Sequence, residues 1–375
     1  MRARPGANRL AQVDTLRALA ALLVACAHIW ERFLPYSNAS GTAVSKTWPR
    51  YFDFGITGVV LFFCISGFVI YGTLRGPRAD AGRRFVVSRF FRLYPAYWVS
   101  VAAGLIFIWW WRGLPITWPM VAGNVTMLPT ILRQPQVMGL YWTLETELAF
   151  YLLCWLIWRL GWLEDARVLA VVVVALSLSW FTVKGATQAA GAPDEILGAW
   201  KNLPRHLGIM FWGAYFRIVY DETSGFRGVL RRERKFWVLL CLTIVILALG
   251  GSRQFRFFIH PSRNWFSPYV VGPLLFWVWI GYLQIRTAVL AWLGKISYSL
   301  YLFHLVVATP LVWFVAQASR TAWRGWPIAL YLAPTLLLAV VVSGGVYYAV
   351  ELPAIALGKR IAGRRAADAG VQAAP

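Results

Sequence analysis

The sequence predicts an all-α integral membrane protein, a bundle of about ten transmembrane helices with both termini in the cytoplasm. This prediction depends on the composition, the length of the apolar runs and the distribution of the basic residues. The chain has 375 residues, of which 59% are hydrophobic and 14% charged, whereas soluble domains are about 45–50% apolar and about 25% charged. A soluble globule cannot bury such an excess of apolar side chains, and the 16% aromatic content excludes a disordered chain.

The apolar runs define the predicted helices in order. A transmembrane helix needs about 20 mostly apolar residues, and ten stretches approach this length. They lie at about 13–34, 55–74, 88–111, 139–158, 167–183, 204–220, 236–250, 267–285, 293–316 and 327–350. The fifth to seventh are short, which favours tilted or partly re-entrant segments. Residues 114–135 contain four prolines and are predicted to form an outer loop that folds back onto the bundle.

These runs divide the chain into three parts. A cytoplasmic segment at 1–12 precedes the transmembrane domain at 13–353, and a basic, Ala-rich tail at 354–375 is predicted to be cytoplasmic. The N-terminus resembles a secretory signal, but Asp14 and Arg17 interrupt its apolar run, which favours a retained first helix. The four cysteines lie in apolar stretches without a CxxC pair, so the sequence predicts neither a disulfide framework nor a metal site.

The basic residues predict the orientation. Lys and Arg number 37 against 15 acidic residues, a net charge of +22. In a soluble protein this balance would indicate nucleic-acid binding. Here the cations form short clusters between apolar runs, so we expect membrane lipid and not nucleic acid as their partner. One alternate set of connections, which includes both termini, holds the larger share of Lys and Arg, and the positive-inside rule places that set in the cytoplasm.

Ionisable residues inside apolar helices are costly and are candidate functional residues. The first predicted helix contains Asp14, Arg17 and His28. Arg17 and His28 are about three turns apart, so they project from one face roughly 16 Å from each other. This face presents a cation for an anionic group near the cytoplasm and a titratable imidazole deeper in the membrane. The alternative is a snorkelling arginine and a core histidine bonded to a backbone carbonyl.

The fourth predicted helix contains a buried carboxylate, Glu147. At 1.5 Å per residue it lies roughly 10 Å inside the membrane, a depth similar to that of His28. A carboxylate beside an imidazole orients it and raises its basicity, as general-base catalysis requires. The alternative is that Glu147 neutralises an arginine elsewhere in the bundle.

Three further helices contain polar candidates. On the ninth, Ser297, Tyr301 and His304 share a face, with structural and catalytic roles for His304 equally open. At the cytoplasmic entrance of the third, Arg89 and Arg92 are neighbours that can clamp a phosphate or anchor anionic lipid. On the second, Ser66 precedes Gly67, and this small pair permits close helix approach or leaves room for a narrow ligand.

Several stretches, in order along the chain, resemble the motifs of one known family. They are Asp14-Thr15-Leu16-Arg17 with His28; residues 58–68, which end in Ser66-Gly67-Phe68; Arg89-Phe90-Phe91-Arg92-Leu93-Tyr94-Pro95; Trp142-Thr143-Leu144 with Glu147, Phe150 and Tyr151; Ser297-Tyr298-Ser299-Leu300-Tyr301-Leu302 with His304; and Glu351-Leu352-Pro353. The chain thereby resembles the membrane-bound acyltransferase-3 family, bacterial inner-membrane enzymes that O-acylate polysaccharides, lipid-linked sugars and other acceptors. Thr15 stands where the family usually has Gly, which we expect to alter packing only. Val60 stands where the family often has Asp, and so removes a polar group.

The resemblance implies a stand-alone, multi-pass enzyme of the bacterial inner membrane, with no hydrolase-like domain after residue 353. Acyl-CoA, usually acetyl-CoA, is the implied co-substrate and enters from the cytoplasm, with no bound cofactor. The implied acceptor is a carbohydrate or lipid-linked sugar on the outer side. A transporter or flippase that uses the Arg/His/Glu path, and an acyltransferase with a non-carbohydrate acceptor, are the alternatives. The sequence favours no particular acceptor, acyl chain length or oligomeric state.

The resemblance also implies roles for individual residues. His28 is expected to act as general base or acyl carrier, with Glu147 orienting it. The expected acyl-CoA-binding residues are Arg17, Arg89, Arg92, Ser66 and Tyr94. The expected supporting residues are Asp14, Ser297, Tyr301, His304 and Glu351.

Overall fold

The structure is a computed structural model and describes residues 5–42, 53–74, 78–189, 202–222, 267–283, 285, 287–317 and 323–372. Within these ranges every regular element is a helix. The α-helices are α1 (Pro5–Phe33), α2 (Phe54–Ile70), α3 (Arg78–Gly104), α4 (Trp118–Val125), α5 (Trp142–Arg159), α6 (Ala166–Ala189), α7 (Leu203–Glu222), α8 (Ser267–Val278), α9 (Ala288–Lys295), α10 (Ser297–Gln317), α11 (Ile328–Val346) and α12 (Leu352–Gln372). Wider π-helical turns continue α3 at Leu105–Trp110 and α8 at Trp279–Leu283, and join α11 to α12 at Tyr347–Glu351.

Five helical stretches of the described chain are long and apolar enough to cross a membrane. They are Gln12–Tyr36, Phe54–Thr73, Ala81–Trp110, Ser297–Gln317 and Ile328–Gly363. Large apolar side chains such as Val171, Leu337 and Val341 are more than 60% exposed, which is the surface that a lipid-facing helix presents. The protein is therefore a multi-pass membrane protein.

The number of spans and the side of the termini stay predictions. The predicted span at 236–250 lies outside the described residues. The predicted spans at 139–158 and 204–220 coincide with α5 and α7, which are not among these five stretches.

The proline-rich segment 114–135 contains the short helix α4 and folds back onto α3. The hydroxyls of Tyr94 and Tyr97 donate to the carbonyl oxygens of Thr126 and Asn124, at 3.1 and 2.6 Å. The Trp98 indole N–H adds a third bond, to the Val125 carbonyl. The predicted return of this segment onto the bundle is confirmed, and the polar ends of three aromatic side chains produce it.

The helices form two compact units. The first comprises Met1–Ala27, Gly41–Gly72 and Thr146–Lys295, and the second comprises His28–Ser40, Thr73–Glu145 and Ile296–Pro375. In the first unit α2 packs against α7 and α8, and α7 packs against α6. In the second unit α10 packs against α11, and α12 packs against α3.

Close backbone approach holds α2 and α7 together in the first unit. A Cβ atom at Gly67 would overlap the Met210 carbonyl, and one at Gly213 would overlap the Cys64 carbonyl. Glycines at such crossings bring helix backbones into direct contact, which strengthens dispersion attraction between membrane helices. Of the two interpretations open for the Ser66–Gly67 pair, the structure therefore supports close helix approach at Gly67.

Candidate active site

The second unit brings together two histidines that are 276 positions apart in the sequence. His28 on α1 and His304 on α10 lie with Nδ1 of the first 2.9 Å from Nε2 of the second. Their ring planes are within 6° of parallel and their centroids are 5.2 Å apart. Because the nitrogens are far closer than the centroids, the rings meet edge to edge, the geometry in which one N–H points at the other ring's in-plane lone pair.

A cation lies one turn beyond His28 on α1. Arg32 Nη1 donates to Thr309 Oγ1 of α10 at 3.3 Å, which ties the two histidine-bearing helices together. The sequence argument missed Arg32, although its spacing of four residues from His28 was a usable signal for a shared helix face. A guanidinium at this place can stabilise negative charge that develops on a reacting oxygen.

The predicted carboxylate Glu147 belongs to the first unit and has two hydroxyl partners there. Ser66 Oγ donates to Glu147 Oε1 at 3.1 Å, and the Tyr151 hydroxyl donates to the same oxygen over a short hydrogen bond. Tyr151 was not singled out as a site residue, although it follows Glu147 by one helical turn. His28 belongs to the other unit, so the predicted pairing of Glu147 with His28 stays a prediction.

At the start of the first span, Arg17 lies beside Asp14. Arg17 Nη1 is 3.5 Å from Asp14 Oδ1, and the two side chains are 19% and 25% exposed. Asp14 thus restrains the guanidinium while leaving it partly accessible to an anion. A supporting role for Asp14, which the family resemblance implied, stays a prediction.

Thr15 and Val60, the two departures from the family pattern, are both buried in the first unit. Thr15 Oγ1 lies 3.0 Å from the Ile285 carbonyl oxygen and accepts a hydrogen bond from the Trp279 indole at 3.2 Å. The expectation that Thr15 alters packing only is wrong, since its hydroxyl bonds to residues distant in sequence. Val60 packs against α8 at Gly272, where a Cβ atom would lie 2.5 Å from Val60 Cγ1.

The proposed phosphate-binding residues lie along α3. Arg89 and Arg92 are both half-buried, and the Arg89 guanidinium lies 5.7 Å above the centre of the Phe85 ring. Tyr94, expected to contact acyl-CoA, uses its hydroxyl to bond the Thr126 carbonyl and stacks its ring on Phe90 at 4.8 Å. The structure thus shows Tyr94 anchoring the segment after α4.

The remaining supporting residues lie in the second unit around α10. Glu351 closes the π-helical turn before α12 and is 1% exposed, and its Oε2 accepts from Ser299 Oγ at 2.7 Å. The Tyr301 hydroxyl lies 2.7 Å from Thr143 Oγ1, and Ser297 is buried at the start of α10. These bonds fix α10 against α5 and α12, and therefore fix the backbone that holds His304.

Among the described residues there is no cluster of three His, Cys, Asp or Glu side chains suited to a metal ion.

The fold and the site residues define a multi-pass helical membrane protein with buried or half-buried imidazole, carboxylate and guanidinium groups. A protein-family model described as "Acyltransferase domain" matches residues 10–348. The chain therefore belongs to this acyltransferase family, in agreement with the resemblance seen in its motifs.

Three relatives are similar over part of their lengths. Nodulation protein 10 of Rhizobium leguminosarum bv. viciae is 29% identical over 190 residues, which are 44% of this chain and 49% of the relative. Acyltransferase MdmB of Streptomyces mycarofaciens is 28% identical over 207 residues, 50% of this chain and 51% of the relative. Peptidoglycan O-acetyltransferase OatA of Listeria monocytogenes serovar 1/2a is 24% identical over 371 residues, 87% of this chain and 53% of the relative.

The chain thus spans about half the length of the curated relatives it matches. No solved structure matches it.

Proposed function

We propose that this chain is a membrane O-acyltransferase of the bacterial inner membrane. It transfers an acyl group, acetyl in the simplest case, from cytoplasmic acyl-CoA to a hydroxyl of an extracytoplasmic or lipid-linked carbohydrate. The observation that carries the proposal is the hydrogen-bonded pair His28–His304, inside a chain that belongs to an acyltransferase family. The relative named as a peptidoglycan O-acetyltransferase supports acetyl as the group and a carbohydrate as the acceptor.

His28 is proposed as the general base. Its imidazole takes the proton of the acceptor hydroxyl while the hydroxyl oxygen attacks the thioester carbonyl. The carbon–sulfur bond then breaks, and the CoA thiolate takes up the proton as it leaves. The products are the acyl ester of the acceptor and CoA with a free thiol. In the alternative order, a His28 nitrogen first attacks the thioester carbonyl, and the carbon–sulfur bond breaks to release the CoA thiolate. The acceptor hydroxyl then attacks the acyl-imidazole, the carbon–nitrogen bond breaks to regenerate His28, and the hydroxyl proton ends on the CoA thiolate.

The other residues have proposed roles that follow from their chemistry. Arg17, Arg89 and Arg92 are proposed to bind the phosphates of acyl-CoA, because guanidinium groups make strong charge-assisted bonds to phosphate. Ser66 and Tyr94 are proposed to belong to the same acyl-CoA site. Glu147 is proposed as the catalytic carboxylate that orients His28, the role that the family resemblance implies.

The test measures transfer of radiolabelled acetyl from acetyl-CoA to the glycan and lipid-linked sugar fractions of membranes that contain the full chain. We expect transfer with the wild type, and a loss of about 10²- to 10⁴-fold with His28→Ala, the range that a general base contributes. His260→Ala, in a predicted outer loop, is the matched control and should keep full activity. Full transfer by His28→Ala contradicts the role of His28, and sugar uptake into vesicles without acyl-CoA supports the transporter alternative instead.

A further inference from the structure

The two histidines form a chain of hydrogen bonds that ends on a backbone carbonyl. His304 Nδ1 lies 3.0 Å from the carbonyl oxygen of Leu300, one turn earlier on α10. The other nitrogen of His304, Nε2, lies 2.9 Å from His28 Nδ1. A carbonyl oxygen only accepts hydrogen bonds, so His304 Nδ1 carries the proton that it donates to Leu300.

The surroundings of the pair favour two neutral rings. His304 is fully buried, and the Arg32 guanidinium bonds to the same helix one turn further on. A buried imidazolium there would lose its hydration and be repelled by Arg32. A neutral imidazole has a single N–H group, and in His304 this group is on Nδ1. His304 Nε2 therefore presents a lone pair to His28.

This arrangement determines which nitrogen of His28 is basic. Because His304 Nε2 accepts, the hydrogen bond between the rings is donated by His28 Nδ1. In a neutral ring, His28 Nε2 then carries the lone pair. An unrestrained neutral imidazole prefers the opposite tautomer, with its proton on Nε2, so the contact with His304 selects the less common form.

We propose that His304 is a positioning residue that holds His28 as the Nδ1-protonated tautomer and makes Nε2 the basic nitrogen of the site. This inference rests on the proposed function of His28. Without the contact, His28 would turn an N–H group, in place of a lone pair, towards the acceptor hydroxyl.

The contact with His304 also keeps the His28 ring in one orientation while the proton of the acceptor hydroxyl is transferred. When Nε2 takes the proton of the acceptor hydroxyl, His28 becomes an imidazolium, and its Nδ1–H bond to His304 becomes charge-assisted and stronger. When Nε2 passes the proton to the leaving thiolate, the neutral pair returns. The bond to Leu300 persists throughout, so neither ring has to rotate.

Nitrogen NMR tests the tautomer directly. The full chain, labelled with ¹⁵N-histidine in nanodiscs, gives signals from only four histidines, and single substitutions assign them. We expect both His28 and His304 to be protonated on Nδ1 and unprotonated on Nε2. In His304→Ala, the proton of His28 should move to Nε2. A proton on His28 Nε2 in the wild type overturns the proposal.

Kinetics test the consequence for catalysis. His304→Ala should lower kcat for acetyl transfer about 10- to 100-fold, a loss typical of removing an orienting partner, with the KM for acetyl-CoA unchanged. His304→Gln should recover most of kcat, because its amide oxygen takes the place of Nε2 as acceptor. Equal losses in the Ala and Gln variants, with melting temperatures equal to that of the wild type, overturn the positioning role.

The failure of this inference is distinguishable from failure of the proposed function. Absence of acetyl transfer by the wild type, or full transfer by His28→Ala, removes the proposed function, while the NMR spectra still decide the tautomer. Loss of transfer in His28→Ala together with a normal kcat in His304→Ala removes the positioning role alone.

Discussion

At the scale of single residues, several polar groups inside the described helices are joined in pairs across long sequence separations. Three such pairs are His28 with His304, Ser66 with Glu147, and Ser299 with Glu351. Buried polar groups without partners are costly, so a membrane bundle that retains them must join them. Each pair restrains side chains that the family motifs singled out, and thereby limits the orientations these side chains can take.

The Glu147 carboxylate provides a prediction at this scale. Glu147→Gln keeps an oxygen that accepts from Ser66 and Tyr151 but removes the negative charge. We expect kcat for acetyl transfer to fall about 10²-fold or more, because charge on a catalytic carboxylate is needed as protons move. Acetyl transfer and the melting temperature in detergent are measured together.

Glu145 supplies the matched control for this substitution. It lies on the same helix, and its Oε1 accepts the Thr130 backbone N–H at 2.8 Å. The amide oxygen of Glu145→Gln can accept the same bond, so kcat should not change. Equal effects of the two substitutions would contradict a catalytic role for Glu147.

At the scale of elements, local backbone features determine how particular helices pack. Gly67 permits α2 to contact α7 through backbone atoms. The π-helical turn Tyr347–Glu351 is wider than an α-helical turn, precedes α12 and ends at the buried Glu351. Such turns are frequent at functional sites, because the extra residue changes the direction in which the following side chains project. On helix α3, Arg89 and Arg92 are three residues apart and are the pair proposed to bind phosphate.

Helix α3 provides a prediction about donor binding. Arg89→Gln and Arg92→Gln should each raise the KM for acetyl-CoA about 10- to 100-fold, since a hydrogen bond to a charged group contributes about 1.5–3 kcal/mol. The value of kcat should change little, because the phosphates lie far from the thioester. Steady-state kinetics with purified protein measure both constants.

A donor analogue tests which arginine contacts the 3′-phosphate of acetyl-CoA. Acetyl-dephospho-CoA lacks the 3′-phosphate, so a substitution that removes the contact to this phosphate should have a smaller effect on its KM. Arg83→Gln and Arg84→Gln, on the same helix, are the controls and should keep the wild-type KM, because we expect these two cations, near the cytoplasmic end of the third predicted span, to anchor anionic lipid. An unchanged KM in both the Arg89 and Arg92 variants would rule out the phosphate-binding role.

At the scale of the whole molecule, the charge distribution predicts the topology. Both termini should be cytoplasmic, because the connections on their side hold the larger share of Lys and Arg. A green fluorescent protein fused after residue 375 should fluoresce, and alkaline phosphatase fused there should be inactive. Phosphatase inserted in the predicted outer loop at 251–266 should be active. An active phosphatase at the C-terminus would refute the predicted orientation.

The sequence was sufficient to predict the class of protein. Apolar runs of membrane-spanning length are a local property, and the described helices confirm a multi-pass helical membrane protein. The ordered motifs led to the acyltransferase family, which the family model confirms. They also singled out His28 and His304, and the structure places these two in contact. A helix face is fixed by spacing along one segment, so such candidates can be found without knowledge of their neighbours.

Only the tertiary structure decided which of these residues meet. Spacing along a helix indicates which side chains share its face, but the partner across an interface depends on how distant segments pack. The pairing of His28 with Glu147, expected from their similar depth, stays a prediction, while within the units His28 contacts the ring of His304 and Glu147 accepts from the hydroxyls of Ser66 and Tyr151. Thr15, expected to alter packing only, hydrogen-bonds across its unit for the same reason. The sequence by itself determined the membrane class, the family and the candidate residues, and the packing of the helices determined their hydrogen-bond partners.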